Sequence, residues 1–575
     1  MIKAFHCPLG RGNKAVNIKK DTKLIALQNL EIFKFEMPGS RIKAGILAGS
    51  LLVALPSAVA QENTQLKPQI EESSQKIQTE VQSQEIAQEN TPLKVKKTAK
   101  TETSAVKTPA TTSSYYVESR TFGVAQETEP PRYAKQVNKT WLKDTNGLDN
   151  IDWLDIGLQT RLRYEYRDND FRRSKDVLDE PLLQRTRLYA GVKSKIDPLR
   201  FTVEMQDSRA YNSAFMSDNR NVNKTEIVQG YGELYFKDAL GKDDLGNDRP
   251  VSIKAGRMTL DLVDRRLIAR NVWRNTLNTF QGVRATFGQK KSDWQGEFIA
   301  VQPIIRLVDQ ADKVNDSQCL YGVVGDWRKW SKIITLQPYY LFLKQDGSKV
   351  TYASNGTLAA ASAHTNREIH TGGFRGFGIV GKTGFDYDFN YAKQWGNDGT
   401  RIQDAYAYNL EGGYTAQYSW KPRFSATLAY ASGDKDPKDS RNQRFDSLFG
   451  ASRSSLSASN SIQFSNLYAT KIRSQLTPSD KLKIDFGYSW YHLASATDLW
   501  SGGANLQDKA GQSGKNIGEE FDIRLRYPIN KYIGLNVGYS HFMAGDFTKK
   551  TSQLAEPGRK ANSNLLYVET TLSAF

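Results

Sequence analysis

The stretch from residue 154 to residue 167 alternates without a break between two kinds of side chain. One parity, which starts at Leu154, carries Leu, Ile, Tyr and a single Thr. The other, which starts at Asp155, carries Asp, Gly, Gln, Arg and Glu. Successive side chains of a β-strand point to opposite faces, whereas a helix would scatter both sets around its axis. The stretch therefore predicts a strand with one apolar face and one charged face.

The same alternation returns along most of the chain as far as its C-terminal end. We count about 16 to 18 such segments, within the even-numbered range of single-chain outer-membrane barrels. Clear examples are residues 182–196, 201–206, 385–391, 406–418, 481–490 and 520–527. A large soluble β-protein requires the same alternation, so the pattern alone does not choose between the two classes of protein.

The composition argues against a bundle of membrane-spanning helices. The chain has 575 residues, among them 27 Tyr, 25 Phe and 10 Trp, and its mean hydropathy is −0.58. Transmembrane strands escape a hydropathy profile because half of their residues are polar. We therefore predict an all-β fold for residues 151–575: a transmembrane, antiparallel, up-and-down β-barrel of about 18 strands.

An export signal is predicted near the N-terminus. Two basic residues precede an apolar run at residues 44–55, Pro56 ends the run, and small residues then suit cleavage after Ala60. A start at the methionine just upstream assigns the signal peptide to residues 37–60. Residues 1–36 are then either an annotation artefact or part of an unusually long leader.

Residues 61–145 differ in composition from the rest of the chain. They are rich in Gln, Glu, Thr, Ser and Lys and poor in large apolar residues. Such a segment buries too little apolar surface to offset the entropy lost on ordering. We predict a disordered periplasmic arm or linker. The alternative interpretation is that residues 61–140 bind a periplasmic or cell-wall partner.

The charged parity of the predicted barrel carries many arginines. Four of them lie in two alternating segments: Arg161, Arg163, Arg185 and Arg187. On the lipid-facing side they would cost roughly 2–4 kcal/mol each, or roughly 8–16 kcal/mol together. That sum matches the whole stability of a typical protein. The arginines must therefore face the lumen, and the apolar parity faces lipid.

We expect this lumen to be basic, in agreement with the formal net charge of +17. The candidate basic residues are Arg161, Arg163, Arg185, Arg187, Arg257, Arg284, Arg524 and Arg526. The candidate acidic partners, which would hold the arginines and soften their pull on an anion, are Glu165, Glu204, Glu233, Glu520 and Asp522. The alternative for any single residue is an ordinary cross-lumen ion pair that only rigidifies the barrel.

Four groups of motifs resemble the alginate export proteins of Gram-negative outer membranes. The first joins Gln-Arg-Thr-Arg-Leu at 184–188 to Glu-Met-Gln-Asp-Ser-Arg at 204–209. The second runs from Gly-Arg-Met at 256 to Phe-Gln-Gly-Val-Arg at 280–284. The third lies at 431–449 and the fourth at 517–542. Together they span nearly all of residues 151–575. In the second, Met258 stands where the family usually has Gln, and no Gly precedes the second Arg pair.

The resemblance implies a fold and a function. Members of that family look like 18-stranded monomeric barrels. Their electropositive lumen passes a uronate polysaccharide. For this chain it implies a monomer in the outer membrane that contacts lipid and passes an anionic polysaccharide or small anions outward. The polar arm at 61–140 lies outside the family pattern.

Three other functional classes compete with polysaccharide export. The first is a passive, anion-preferring porin, and the second is a structural or adhesive barrel tethered to the cell wall. The third is an enzyme, but the predicted mature chain holds only His364, His370, His492 and His541, without a Gly-x-Ser-x-Gly motif or a metal-type His spacing. We therefore expect no catalytic residues, no metal site, no cofactor and no nucleic-acid partner.

Overall fold

The computed structural model describes residues 114–353, 355–451, 453 and 455–575, which belong to one compact unit. The predictions for the extension at 1–36, for the signal peptide at 37–60 and for the arm as far as residue 113 lie outside the described residues.

Eighteen long strands in the described ranges form a closed antiparallel barrel in chain order, which confirms the predicted fold. The last strand pairs with the first, from Gln159 opposite Ser573 to Asp168 opposite Asn564, so the barrel has no free edge. The strands are β1 Leu154–Asp168, β2 Leu182–Val192, β3 Leu199–Tyr211, β4 Asn223–Phe236, β5 Val251–Met258, β6 Phe280–Gly288, β7 Trp294–Ile305, β8 Gln318–Trp327, β9 Thr335–Gln345, β10 Arg367–Ile379, β11 Phe385–Asp398, β12 Arg401–Thr415, β13 Arg423–Ala431, β14 Leu467–Leu476, β15 Lys483–His492, β16 Asn516–Pro528, β17 Ile533–Ala544 and β18 Asn562–Ser573.

Short elements complete the fold. The α-helix α1, Asp546–Ala555, lies between β17 and β18. None of the helices in the described ranges is long and apolar enough to cross a membrane. The remaining short elements are two-residue strands at Lys135–Gln136, Lys313–Val314 and Arg441–Asn442, and 3-10 helices at Val137–Lys139, Trp141–Asp144 and Ala361–Ala363.

The two ends of the barrel have connections of different length. One end carries short turns, such as residues 289–293 and 529–532, and β1 begins and β18 ends there. The other end carries long loops, of which residues 259–279 and 432–466 matter most for the lumen. In outer-membrane barrels the short turns face the periplasm and the long loops face outward. By this rule the short-turn end is the periplasmic side of the barrel and the long-loop end is the outer side.

Exposure follows the strand parity that the sequence predicts. On β1, Leu162 is 46 % exposed on the outside of the barrel, whereas Arg161 and Arg163 beside it are 4 % and 1 % exposed in the lumen. The apolar parity therefore faces lipid, as expected from the cost of an arginine in hydrocarbon.

The hydrophobic core lies inside the barrel near the long-loop end. Apolar side chains of loop 259–279, among them Leu260 and Ile268, pack there with Phe445 of loop 432–466 and Phe280 of β6. The long loops therefore fold into the lumen, where they bury surface that would otherwise meet water.

Candidate functional site

Four arginines line the lumen on the wall formed by β1 and β2. The strand register places Arg161 directly opposite Arg185, so two positive charges face each other across the strand pair. Like charges in this position are destabilising unless other groups offset them. The contacts of these arginines therefore decide what the wall can do.

Carboxylates offset only part of the positive charge on this wall. Arg163 Nε lies 2.6 Å from Glu165, and its Nη1 lies 3.3 Å from Glu569, which Arg161 approaches at 3.6 Å. Glu165 is shared with Arg167, whose Nε donates to it at 2.6 Å. Arg167 also pairs with Asp179 at 3.0 Å. Among the described residues Arg185 forms no ion pair, so carboxylates do not offset all of the positive charge on this wall.

The guanidinium N–H groups that no carboxylate accepts donate to backbone carbonyls of loop 259–279, which we call the crossing loop. Arg161 donates to the carbonyls of Val272 and Arg274 at 3.2 and 3.1 Å, and Arg185 donates to that of Val272 at 3.1 Å. Arg163 donates to the carbonyl of Trp273 at 2.9 Å. A carbonyl satisfies a guanidinium donor without neutralising it.

The crossing loop spans the lumen from wall to wall. At one end its Asn275 donates to the backbone carbonyl of Gln184 on β2 at 2.8 Å. At the other end Arg375 on β10 donates to the carbonyl of Val263 at 3.1 Å, and Asn390 on β11 donates to Asp264 at 2.6 Å. The loop therefore constricts the lumen between opposite sides of the barrel.

Loop 432–466, which we call the second loop, supports the crossing loop. The amide of Phe449 donates to the carbonyl of Leu267 at 2.9 Å, and the guanidinium of Arg453 lies 3.0 Å from the centre of the Trp273 ring. Glu520 on β16 accepts hydrogen bonds from Ser457 at 2.8 Å and from the amide of Ala458 at 2.7 Å. Glu520 thus faces the lumen as predicted, but it holds this loop and not an arginine.

Residues 114–136, which we call the internal segment, cross the lumen nearer the short-turn end. Ser119 donates to Asp388 on β11 at 2.8 Å, and Tyr133 donates to Glu204 on β3 at 2.7 Å. The strands that it contacts lie on different sides of the barrel. Phe122 lies under the guanidinium of Arg473, 3.9 Å from the ring centre.

This placement differs from the arm expected at 61–145, because residues 114–145 contact the barrel. After the internal segment, Trp141 donates to the carbonyl of Ala574 at 2.9 Å. The composition of residues 61–145 as a whole is polar, but its last part contains aromatic residues such as Tyr116 and Phe122. Their rings contact arginines inside the barrel.

The other predicted lumen residues, with one exception, also face inward. Arg284 pairs with Glu297 at 2.9 Å, and Arg187 lies 3.8 Å from Glu204. The remaining contacts are those of Arg524 and Arg526 with Asp485 at 3.0 and 3.2 Å, of Asp522 with Arg473, and of Glu233 with Ser252.

Arg257 is the exception. It shares the parity of the outward-facing Ile253 on β5, pairs with Glu226 at 3.3 Å and donates to the carbonyl of Ile227 at 3.0 Å. Met258, one position later, takes the inward place in the core. The prediction of a lumen position for Arg257 is wrong, because Arg257 lies on the outward parity of β5 and Met258 lies on the inward parity.

Sequence reasoning missed several basic residues of the lumen. Arg375 lies in a glycine-rich part of β10 that shows no apolar alternation, so its strand parity was hidden. Arg473 and Lys471 lie on β14, whose alternating pattern could have identified them as inward-facing residues. The others are Lys254 with Glu129, and Arg423 with Asp386 and Glu411.

Charged neighbours shift the pKa of two groups that lie outside the strands. Burial and the neighbouring Arg306 and Arg220 lower the pKa of Arg274 in the crossing loop to about 9. Partial desolvation inside the barrel would by itself raise the pKa of the half-exposed Glu129 in the internal segment, but the charges of Lys254 and Arg284 outweigh it and lower that pKa to about 2. Glu129 is therefore ionised at neutral pH.

Several solved bacterial proteins are similar to this chain at low sequence identity. OccK11 (OpdR) of Pseudomonas aeruginosa has 14 % identity and a TM-score of 0.48, over 73 % of this chain and 96 % of that chain. OpdK of the same organism, solved with vanillate, has 11 % identity and a TM-score of 0.49, over 73 % and 98 %. Its outer membrane protein OprD has 12 % identity and a TM-score of 0.44, over 73 % and 93 %. No curated protein matches the sequence.

A sequence profile identifies the family. The profile of the family described as alginate export matches residues 152–562, from just before β1 to the first residue of β18. The match covers more than half of the chain, which establishes the family. The chain therefore belongs to the alginate export family and is an outer-membrane β-barrel channel.

Proposed function

We propose that this channel passes an anionic polysaccharide, an alginate-like polyuronate, outward through its basic lumen as a monomer. Guanidinium groups bind carboxylates through two parallel hydrogen bonds and stay charged at any working pH. A row of such groups offers a uronate polymer successive binding sites. Transport requires sites that attract the polymer but are weak and numerous.

The observation that carries the proposal is the way in which Arg161 and Arg185 are held. Both are buried cations whose hydrogen bonds go largely to backbone carbonyls of the crossing loop. Those carbonyls leave the positive charge in place. If the loop withdraws, the two guanidiniums become free for the carboxylates of a polymer without breaking a strong ion pair of their own.

The other lumen residues extend this path. Arg163, Arg187, Arg284, Arg524 and Arg526 would follow as further sites, while Glu165, Glu204, Glu233 and Asp522 moderate their affinity. The crossing loop and the internal segment favour a conduit that opens for its substrate over a passive porin that is always open, which is the alternative.

Planar-bilayer recordings of the purified protein test the proposal. We expect a channel that prefers anions and is blocked by oligouronates, and we expect the double variant Arg161→Gln/Arg185→Gln to weaken the block at least tenfold. Arg209→Gln is the matched control, since Arg209 is an outward-facing arginine that pairs with Asp207 at 2.8 Å. A silent or cation-selective channel, or a block equal in all variants, would contradict the proposal.

A further inference from the structure

The internal segment brings one carboxylate against two basic residues of the barrel wall. Glu129 Oε1 accepts a hydrogen bond from Arg284 Nη1 at 2.9 Å, and its other oxygen accepts one from Lys254. Arg284 uses Nε and Nη2 for Glu297, at 3.0 and 2.9 Å, which leaves Nη1 for Glu129. Glu129 therefore occupies a position prepared by the wall.

This position lies beside a cavity near the short-turn end, on the periplasmic side. The cavity has a volume of about 490 Å³, and its lining includes Glu129, Lys254, Arg284 and Tyr231. The side chain of Glu129 is 41 % exposed, whereas those of Lys254 and Arg284 are 11 % and 17 % exposed. Water thus reaches the carboxylate first, and the two cations lie behind it.

The two cations are fixed in place by the barrel. Lys254 on β5 and Arg284 on β6 are direct cross-strand partners. The ammonium of Lys254 lies 4.8 Å from the centre of the Tyr231 ring, and Arg284 is held by Glu297 through two hydrogen bonds. Groups on neighbouring strands make a more precise site than groups on loops. Glu297 therefore holds Arg284 without Glu129, whereas the like charge of Lys254 directly opposite it requires a carboxylate in this position.

We propose that Lys254 and Arg284 form a carboxylate-binding site at the periplasmic mouth, that Glu129 occupies this site in the absence of substrate, and that a uronate carboxylate of the transported polymer displaces it. The inference deepens the proposed function and rests on it for the identity of the polymer. The exchange replaces one carboxylate by another, so it leaves no buried cation without a partner.

The covalent connection of Glu129 to the barrel makes the site selective for polymers. A tethered group competes at an effective concentration that reaches the millimolar range for short flexible connections. A single uronate at lower concentration does not displace such a group. A polymer that binds several lumen arginines at once gains avidity and does displace it.

Bilayer recordings of the full-length protein with Glu129→Gln test the site. The matched control is Glu118→Gln, which removes the same charge from the same segment. In the described part of the chain, Glu118 is exposed and forms no ion pair. The probe is a hexameric oligomannuronate, and heat-modifiable migration in gels checks that each barrel is folded.

We expect Glu129→Gln to lower the half-blocking oligomannuronate concentration at least tenfold and to open more often in KCl alone, with Glu118→Gln within twofold of wild type. Glu129→Asp should return both readouts toward wild type. If the two Gln variants match in both readouts, the site proposal is overturned. If Glu129→Gln opens more often but no barrel is blocked, Glu129 does occupy the site and the proposed polymer is wrong.

Discussion

Replacing Asn275 by alanine is expected to release the crossing loop from the barrel wall and to open the lumen. The Asn275 side chain is fully buried. Its amide nitrogen lies within hydrogen-bond distance of the carbonyls of Gln184 at 2.8 Å and of Arg209 and Asn221 at 2.9 Å. Its oxygen accepts from Arg161 Nη2 at 3.0 Å. One side chain thus ties the loop to three strands, β1, β2 and β3, and to a neighbouring loop.

The size of the effect follows from these contacts. An amide nitrogen has two hydrogens, so it makes about two full bonds. Two neutral bonds contribute about 0.5–1.5 kcal/mol each, and a bond from a charged donor contributes about 1.5–3 kcal/mol. The loss is therefore roughly 2.5–6 kcal/mol of loop-docking free energy. At 1.4 kcal/mol for each factor of ten, the lower bound alone shifts the docking equilibrium about 60-fold.

Single-channel recordings in planar bilayers measure this shift as a more frequent open state. Asn355→Ala is the control, because Asn355 lies in an exposed loop and, among the described residues, its side chain accepts hydrogen bonds from Thr357 of the same loop. An Asn275→Ala channel that opens no more often than wild type and the control would refute the role of the crossing loop as the constriction.

Three further predictions concern the membrane, pH and stability. Leu162→Arg at mid-strand should lower the unfolding free energy in lipid vesicles by about 2–4 kcal/mol, whereas Leu199→Arg at the rim should lower it by about 0–1 kcal/mol; equal losses would contradict the orientation. Because the pKa of Glu129 falls from 4.5 to about 2, its contact is complete above pH 4.5 and is lost as the pH falls toward 2. Open-state frequency should therefore be flat from pH 8 to 5 and rise below that range, but not in Glu129→Gln. Arg473→Met should cost about 3–5 kcal/mol in urea unfolding because it leaves the buried Asp522 without the arginine that pairs with it, and Arg473→Met/Asp522→Leu should recover most of the loss, since Asp485 keeps Arg524 and Arg526.

The barrel was predictable because its strands obey a local rule. On β1, the polarity of the residues in the 154–167 stretch indicates which face of the strand they occupy. The structure places Leu162 outside and Arg163 inside accordingly. Prediction failed where the sequence shows no clear alternation. The glycine-rich stretch of β10 gave no parity for Arg375, and Arg257 was assigned to the inward face although it lies on the outward one.

The partners of the lumen residues were not predictable in the same way. Arg161 was expected to pair with an acid, yet its nearest partners are carbonyls of a loop about a hundred positions away. Glu520 was expected to hold an arginine, yet it holds Ser457 of the second loop. Glu129 lies in a stretch read as a disordered arm, yet it contacts Lys254 and Arg284.

The sequence by itself determined which face of each alternating strand meets lipid and that arginines lie on the inner face. The reason is that the free-energy cost of several arginines in hydrocarbon would equal the whole stability of a typical protein. Only the tertiary structure decided what those arginines bind. The crossing loop, the second loop and the internal segment reach them by long paths through the lumen, and no local periodicity encodes where such a path ends.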